Sequence, residues 1–350
     1  MMKNRYQDIF RQIEKDREQG QGSNKNSHLL IIDGLNTFIR VFSAVPALND
    51  DGMHIGGVTG FLRSIAAVIR QHKPTRCIIV FDGKGGSARR KKLYPNYKAN
   101  RANKTAFNRH QEFASLEDEQ ESMKRQYGRM IQYLHCLPVT TMAIDQIEAD
   151  DAIAYLTTQV YNKPDNRVTI VSTDRDFLQL VDDRVSVWSP VKKKMYTPDL
   201  MRDEFGIDAK NYLLYRAITG DKSDNIPGVN GVGLKTMIKR IPIITEYTEL
   251  SVDRLVEYVS DLEKKYKVHE ILEQSGDQIK LNYDLMQLKD VDISGDAKMR
   301  IMHIAQDEIT KMDVLAFKKM FMVDKMYTVI KDLDTWLTSA FNPLNAYRSL

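Results

Sequence analysis

HLLIIDGLNTFIR, residues 28–40, opens on a short run of Leu and Ile with no polar alternation, ends that run on Asp33, and passes directly into a helical pattern. Strands buried on both faces of a parallel sheet read this way, because helices cover both sides of such a sheet. The same grammar recurs in CIIVFD (77–82), ending on Asp82, and in RVTIVSTD (167–174), ending on Asp174. PVTTMAI (138–144) and RVSVWSP (184–190) are further strand candidates. Between them, VTGFLRSIAAVIRQH (58–72) places Val58, Phe61, Leu62, Ile65, Val68 and Ile69 on one helical face, and DDAIAYLTTQVY (150–161) does the same with Ile153, Leu156 and Val160. Strands alternating with helices predict an α/β fold over 28–200, with a mainly parallel central sheet flanked by helices. From 201 to 350 the pattern is helical, with candidates at 209–219, 234–241, 252–266 and 310–336, which predicts an all-α part. Residues 1–27 read as an N-terminal extension. Tyr6, Ile9, Phe10 and Ile13 have helical spacing there, and GQGSNKNS (20–27) reads as a flexible linker.

Hydrophobic residues make up 42% of the 350 and charged residues 28%, ordinary values for a globular chain. No run approaches the roughly 18–20 apolar residues that cross a bilayer, and MMKNRYQDIF has no signal-peptide core. The expectation is a cytoplasmic monomer with no membrane contact. Cys77 and Cys136 sit in apolar surroundings without metal-ligand spacing and read as core thiols, which excludes a structural zinc site.

Ligands of doubly wound sheets bind beyond the carboxyl ends of the strands. Asp33, Asp82 and Asp174 all finish strands there. A single such Asp usually caps the next helix, but three converge on one edge. IEADDAIAYL adds Glu148, Asp150 and Asp151, more acids than a helix cap needs. STDRDF adds Asp176, which projects alongside Asp174 if the chain is still extended. TGDKSDNIPG adds Asp221 and Asp224, for which an Asx turn is the plainer reading. So many carboxylates in a small space require a counter-charge, and all-oxygen ligands suit hard ions. The expectation is two Mg²⁺, with Mn²⁺ as substitute, arranged for phosphodiester hydrolysis.

From Lys84 to Arg109 the chain carries nine Lys or Arg and no Asp or Glu. Such a stretch is either a solvated loop or a polyanion site. Tyr94, Tyr97 and Phe107 lie among the charges, where they could stack on unpaired bases. GDKSDNIPGVNGVGLKTMIKRI (220–241) joins two acids to a glycine-rich hairpin, Gly228 to Gly233, followed by a helix start with Lys235 and Lys239. Glycines permit close backbone approach, and helix N-termini point amides at phosphates.

Taken together, LLIIDGLNTFIR, IIVFDG, YPNYKANR, IEADDAIA, STDRDFLQL and GDKSDNIPGVNGVG resemble the 5′-nuclease superfamily, in that family's order, across residues 29–240. The family includes phage flap endonucleases, phage RNase H enzymes and the 5′-nuclease domain of bacterial DNA polymerase I. STDRDFLQL followed by WSPVKKKMY resembles the phage RNase H branch. The resemblance implies a PIN-like 5′-nuclease fold with a basic helical arch at about 84–125 and a helix–hairpin–helix at about 211–241. It implies that Asp33, Asp82, Glu148 and Asp150 bind one metal, and that Asp150, Asp151, Asp174, Asp176, Asp221 and Asp224 bind the second, directly or through water. Lys98 and Arg101 match basic residues at the base of the arch, near the scissile phosphate, and Arg40 matches another active-site arginine. Arg89, Arg90, Lys91, Lys92 and Tyr97 of the arch, with Gly228, Gly231, Gly233, Lys235 and Lys239 of the hairpin, match DNA-contacting positions, and a K⁺ ion is implied at the hairpin.

The implied activity is structure-specific 5′-to-3′ exonuclease and flap endonuclease cleavage leaving 5′-phosphate, with RNase H-type primer removal in phage-type replication. The implied partners are DNA with a 5′ flap or single-stranded 5′ end and RNA–DNA hybrids. The tail AFNPLNAYRSL (340–350) suggests docking to a sliding clamp or single-strand-binding protein. The nuclease is expected to be free-standing, acting in the host cytoplasm if phage-encoded. Residues 1–27 and the region after about 245 depart from the family outline. A non-catalytic DNA-binding protein on the same fold is the alternative. A small-molecule phosphohydrolase would need neither the basic arch nor the hairpin.

Overall fold

The computed structural model describes residues 25–102, 107–110, 113–246 and 249–348, with backbone alone at 101 and 102. The expected helix around Tyr6 to Ile13, most of the linker, Lys104 and the Arg101 side chain lie outside the described residues, as do the last two residues of the tail. Six strands form one sheet: β1 (His28–Asp33), β2 (Arg76–Asp82), β3 (Thr140–Ile144), β4 (Arg167–Val171), β5 (Val185–Ser189) and β6 (Lys194–Tyr196). Their order is β3-β2-β1-β4-β5-β6. All neighbours are parallel except β5 and β6, so the fold is the mainly parallel α/β architecture expected. Chain order runs outward in opposite directions from β1 and β4. The switch point of the sheet, where ligands of such folds bind, therefore falls between Asp33 and Asp174.

The first helices are α1 (Gly34–Ala44), α2 (Gly56–His72), α3 (Ala88–Leu93), α4 (Leu116–Leu134) and α5 (Ala149–Tyr155). They continue as α6 (Pro198–Phe205), α7 (Ala209–Thr219), α8 (Leu234–Arg240), α9 (Val252–Ser260), α10 (Lys267–Gln274), α11 (Gly276–Met286), α12 (Gly295–Gln306), α13 (Val314–Val323) and α14 (Leu333–Asn345). The unalternated apolar runs have their predicted cause. In β1, Leu29 and Ile31 enter one apolar cluster with α5 and the helices α6–α12, while Leu30 and Ile32 enter another with α1, α2 and α4. Gly34 is fixed by close approach, since a Cβ there would stand 2.4 Å from the Phe81 ring.

Two expectations need correction. The segment 252–266 stops at Ser260, and 310–336 is two helices, each capped by an Asp: Asp313 accepts from Ala316 N and Asp332 from Thr335 N. The helices from 201 to 350 divide between the two faces of the sheet. α13 and α14 cross back, and Phe317, Phe321, Leu337 and Phe341 bury themselves with Phe38, Phe61 and Tyr133 on the α1–α2 side of the sheet. The apolar faces of these helices finish the core of the α/β body. Among the described residues no helix is long and apolar enough to cross a membrane.

Candidate active site

Asp33 ends β1, is buried, caps α1 by accepting from Asn36 N (3.1 Å), and accepts from Ser172 Oγ (3.0 Å). Asp82 ends β2 and accepts from Ala149 N (2.9 Å), so it caps α5 from another element. This relieves Glu148, at the N-cap position, of capping, and its side chain makes no cap hydrogen bond. The expectation that Asp174 and Asp176 lie on extended chain is not met. Asp176 begins a 3₁₀ turn (Asp176–Leu180) and donates its N–H to Asp174 Oδ1 at 2.8 Å. The tight turn still keeps both acids at the sheet edge. Asp221 forms an Asx turn, accepting from Ser223 N (2.7 Å) and Ser223 Oγ (2.6 Å), and the Tyr97 hydroxyl donates to Asp224 at 3.1 Å.

The acids form one electrostatic system. Burial and then the charges of Asp174 and Asp82 push Asp33 up to about 7. Burial, followed by Asp174 and Asp33, raises Asp150 well above the carboxylate range. Asp174 is raised by burial and by Asp224 and Asp221. Asp176 is pushed to about 7 by burial and Asp174, against the pull of Arg216. At the periphery the balance reverses. Burial pushes Glu148 up, but Arg90 and Lys98 outweigh it and hold the carboxyl below its ordinary value. Lys98 Nζ stands 2.5 Å from Glu148 Oε1 and 4.0 Å from Asp224. Arg216 donates to Asp176 at 2.8 Å and also to Asp221.

Repulsion is thus concentrated on Asp33, Asp150 and Asp174, where burial and like charge outweigh the pull of Lys98 and Arg90 on Asp150 and of Arg216 on Asp174. Oxygen-only donors under mutual repulsion fit hard divalent ions. That fit rests on donor chemistry and charge, because among the described residues no three His, Cys, Asp or Glu side chains already converge as a coordination shell.

Several candidate residues have other placements. Asp151 is buried in a two-pronged pair with Arg90 (2.9 and 2.6 Å), a partner it shares with Glu148. Arg90, expected on DNA, is 3% exposed, pairs with Glu148 as well, and donates Nε to Leu285 O of α11 at 2.8 Å. Tyr97, expected to stack on bases, is 2% exposed. These two side chains tie the arch base to the acids and to the C-terminal helices. Arg40 lies two turns along α1 and makes no ion pair with the acids among the described residues; it faces a separate cavity. Arg89 is half-buried near Asp151 (3.9 Å), while Lys91, Lys92, Lys235 and Lys239 are exposed. Of the hairpin glycines, Gly231 and Gly233 are open to solvent, but a Cβ on Gly228 would stand 2.0 Å from Thr219 O, so that glycine serves packing.

Two residues escaped the sequence reading. Arg216 stands five positions before Asp221 on α7, a spacing that could have pointed to it. Buried Glu119 accepts from the N–H groups of Phe107 (2.9 Å) and Asn108 (2.5 Å), anchoring the far end of the basic stretch, and nothing local in the sequence signals it.

Residues 28–206 match the family model for the 5′–3′ exonuclease N-terminal, resolvase-like domain, and residues 207–308 match that for the 5′–3′ exonuclease C-terminal SAM fold. The chain belongs to the 5′–3′ exonuclease family. A 5′–3′ exonuclease of Bacillus subtilis (strain 168) is 33% identical over 248 residues, which are 68% of this chain and 76% of that protein. DNA polymerase I of Rhizobium leguminosarum is 30% identical over 275 residues, 76% of this chain, but the chain spans only 25% of that polymerase's length. Among solved structures, bacteriophage T5 flap endonuclease, in a pseudo-enzyme–product complex with DNA and metal ions, shares the fold with a TM-score of 0.60. It is 24% identical, and the match covers 80% of this chain and 100% of that one.

Proposed function

We propose that this chain is a Mg²⁺-dependent 5′ nuclease that cleaves phosphodiester bonds in DNA bearing a 5′ flap or single-stranded 5′ end, and in RNA–DNA hybrids, leaving 5′-phosphate. The observation that carries the reading is the set of mutually repelling acids Asp33, Asp150 and Asp174 at the sheet switch point, whose repulsion the neighbouring Lys98, Arg90 and Arg216 offset only in part. Asp33, Asp82, Glu148 and Asp150 would hold one ion, and Asp150, Asp174, Asp176, Asp221 and Asp224 would hold the other. When bound, the ions supply Lewis acidity toward the scissile phosphate and make a bound water acidic at neutral pH. Lys98, half-buried between Glu148 and Asp224, gives the incoming phosphate a fixed positive partner. Exposed Lys91 and Lys92 steer the single strand. Gly231, Gly233, Lys235 and Lys239 hold the duplex backbone, with K⁺ at the turn. The DNA and metal ions of the T5 flap endonuclease complex support this assignment by analogy of fold.

The test is product mapping on a labelled 5′-flap duplex and on an RNA-primed duplex, with Mg²⁺, with Mn²⁺ and in chelator. Cleavage near the branch that needs the ion and is lost in Asp174→Asn supports the reading. Full cleavage by Asp174→Asn, or cleavage in chelator, removes it.

A further inference from the structure

A cavity of about 440 Å³ opens at the same edge of the sheet, on the face that carries α1 and α2. Ile32, Val171 and Trp188 from the ends of β1, β4 and β5 form its wall, and Arg40, Gln71 and Lys193 stand at its polar side. Among the described residues two cations line it and no Asp or Glu does. Among the described residues Arg40 Nε is buried without a hydrogen-bond partner, and burial pushes the guanidinium below its ordinary value with no carboxylate to offset it. A half-buried guanidinium with its Nε out of water favours an anion there. Lys193 is turned toward the cavity by the β5–β6 hairpin. Its neighbours Lys192 and Lys194 both pair with Glu204 (3.1 and 2.9 Å), whereas Lys193 adopts a left-handed backbone (φ 52°) and lines the pocket. Trp188 is steadied by an edge contact with His72, ring centroids 5.2 Å apart, and is half-buried.

Anion-binding groups beside an aromatic wall, in a space of ligand size, define the ligand class. We infer that this cavity takes one nucleotide unit, its phosphate held between Arg40 and Lys193 and its base against Trp188. The choice of a nucleotide over another aryl phosphate rests on the nucleic-acid substrate proposed above. Asp33 directly follows Ile32, so a strand seated here lies across the sheet edge from the acids. Arg40 then acts on substrate placement through this pocket and not on the reacting phosphate.

The protein has two tryptophans, so Trp336→Phe leaves Trp188 as the sole reporter. In chelator, where cleavage is silent, this chain is titrated with deoxyadenosine monophosphate, deoxyadenosine, inorganic phosphate and a single-stranded oligodeoxyadenylate. The monophosphate is expected to quench Trp188 saturably, and phosphate to compete without quenching. Arg40→Met should weaken binding by about tenfold and Lys193→Met by about threefold, with Arg40→Lys between parent and Arg40→Met. Thermal melting of each variant checks folding, and Lys193 is an exposed turn position where replacement leaves the core alone. Tighter binding of the oligonucleotide assigns the pocket to a DNA strand, and equal binding assigns it to free nucleotide. Absence of saturable quenching by both, or parental binding by Arg40→Met and Lys193→Met alike, overturns the inference. Intact cleavage without nucleotide binding removes this inference alone, and nucleotide binding without cleavage removes the nuclease reading alone.

Discussion

The Arg90 guanidinium grips Asp151 through two hydrogen bonds, 2.9 and 2.6 Å, inside the protein at the base of the basic stretch. A residue whose charge run suggested DNA contact is a structural clasp that also holds Glu148 and a carbonyl of α11. Breaking a buried pair by removing one partner leaves an uncompensated charge. Arg90→Met should therefore destabilise the protein by about 3–5 kcal/mol in urea unfolding. A loss below about 1 kcal/mol would show that the clasp is solvated, as surface pairs are.

Asp174 stands among repelling acids, and one neutral side chain there relieves Asp33 and Asp150 together. In chelator at pH 8, Asp174→Asn should raise stability by about 1 kcal/mol, while cutting Mg²⁺-dependent cleavage by about a hundredfold or more. Calorimetry and single-turnover assays on one preparation check both. A variant that is both less stable and fully active contradicts the cluster reading.

The pH dependence of ion binding follows from the same acids. Asp33 and Asp176 have folded pKa values of about 7, above their ordinary value of 3.8. Between about pH 4 and 7 the unfolded chain has lost these protons and the ion-free folded chain retains them, so their contribution to stability falls as pH rises through that window. Divalent ions compensate the exposed repulsion. The gain in melting temperature on adding Mg²⁺ should accordingly grow from pH 5 to pH 8, and a flat gain would count against these acids as ligands.

Arg216 bridges Asp176 and Asp221. Arg216→Met leaves both acids without their protein counter-charge. The ion-free protein should melt lower, and the stabilisation by Mg²⁺ should be larger than in the parent. Thermal shift titration measures both. An unchanged Mg²⁺ response would separate Arg216 from the ion site.

The hairpin glycines divide by mechanism. Gly228→Ala forces a Cβ onto Thr219 O and should cost about 1–3 kcal/mol of stability. Gly231 has φ 78° with open space around it, so Gly231→Ala should cost about 1 kcal/mol and act mainly on duplex binding. Urea unfolding beside a gel-shift series distinguishes them. Equal effects on both measurements would contradict the division.

The local sequence determined the strands β1 to β5, the two-faced burial of β1, β2 and β4, and the edge at which Asp33, Asp82 and Asp174 collect, whereas the short antiparallel β6 left no such signal. A buried parallel strand has no polar alternation, and its last residue must face the loop edge whatever the rest of the chain does. The helix 209–219 was legible for the same reason, because an apolar stripe of helical period is a local property. Charge sign was legible too, but charge destination was not. Arg90 lies in the same basic run as Lys91, yet only the packing of α3 against α11 decides that Arg90 turns inward to Asp151 while Lys91 stays in solvent. Glu148 is freed from capping α5 because Asp82, 67 residues before Ala149, accepts from the Ala149 N–H instead. The return of Phe317 and Phe341 to the core formed by Phe38 and Phe61 depends on shape complementarity across distant segments. Periodicity records which residues leave water, and tertiary structure decides which partners they meet, because burial is set by neighbours in the chain and pairing by neighbours in space.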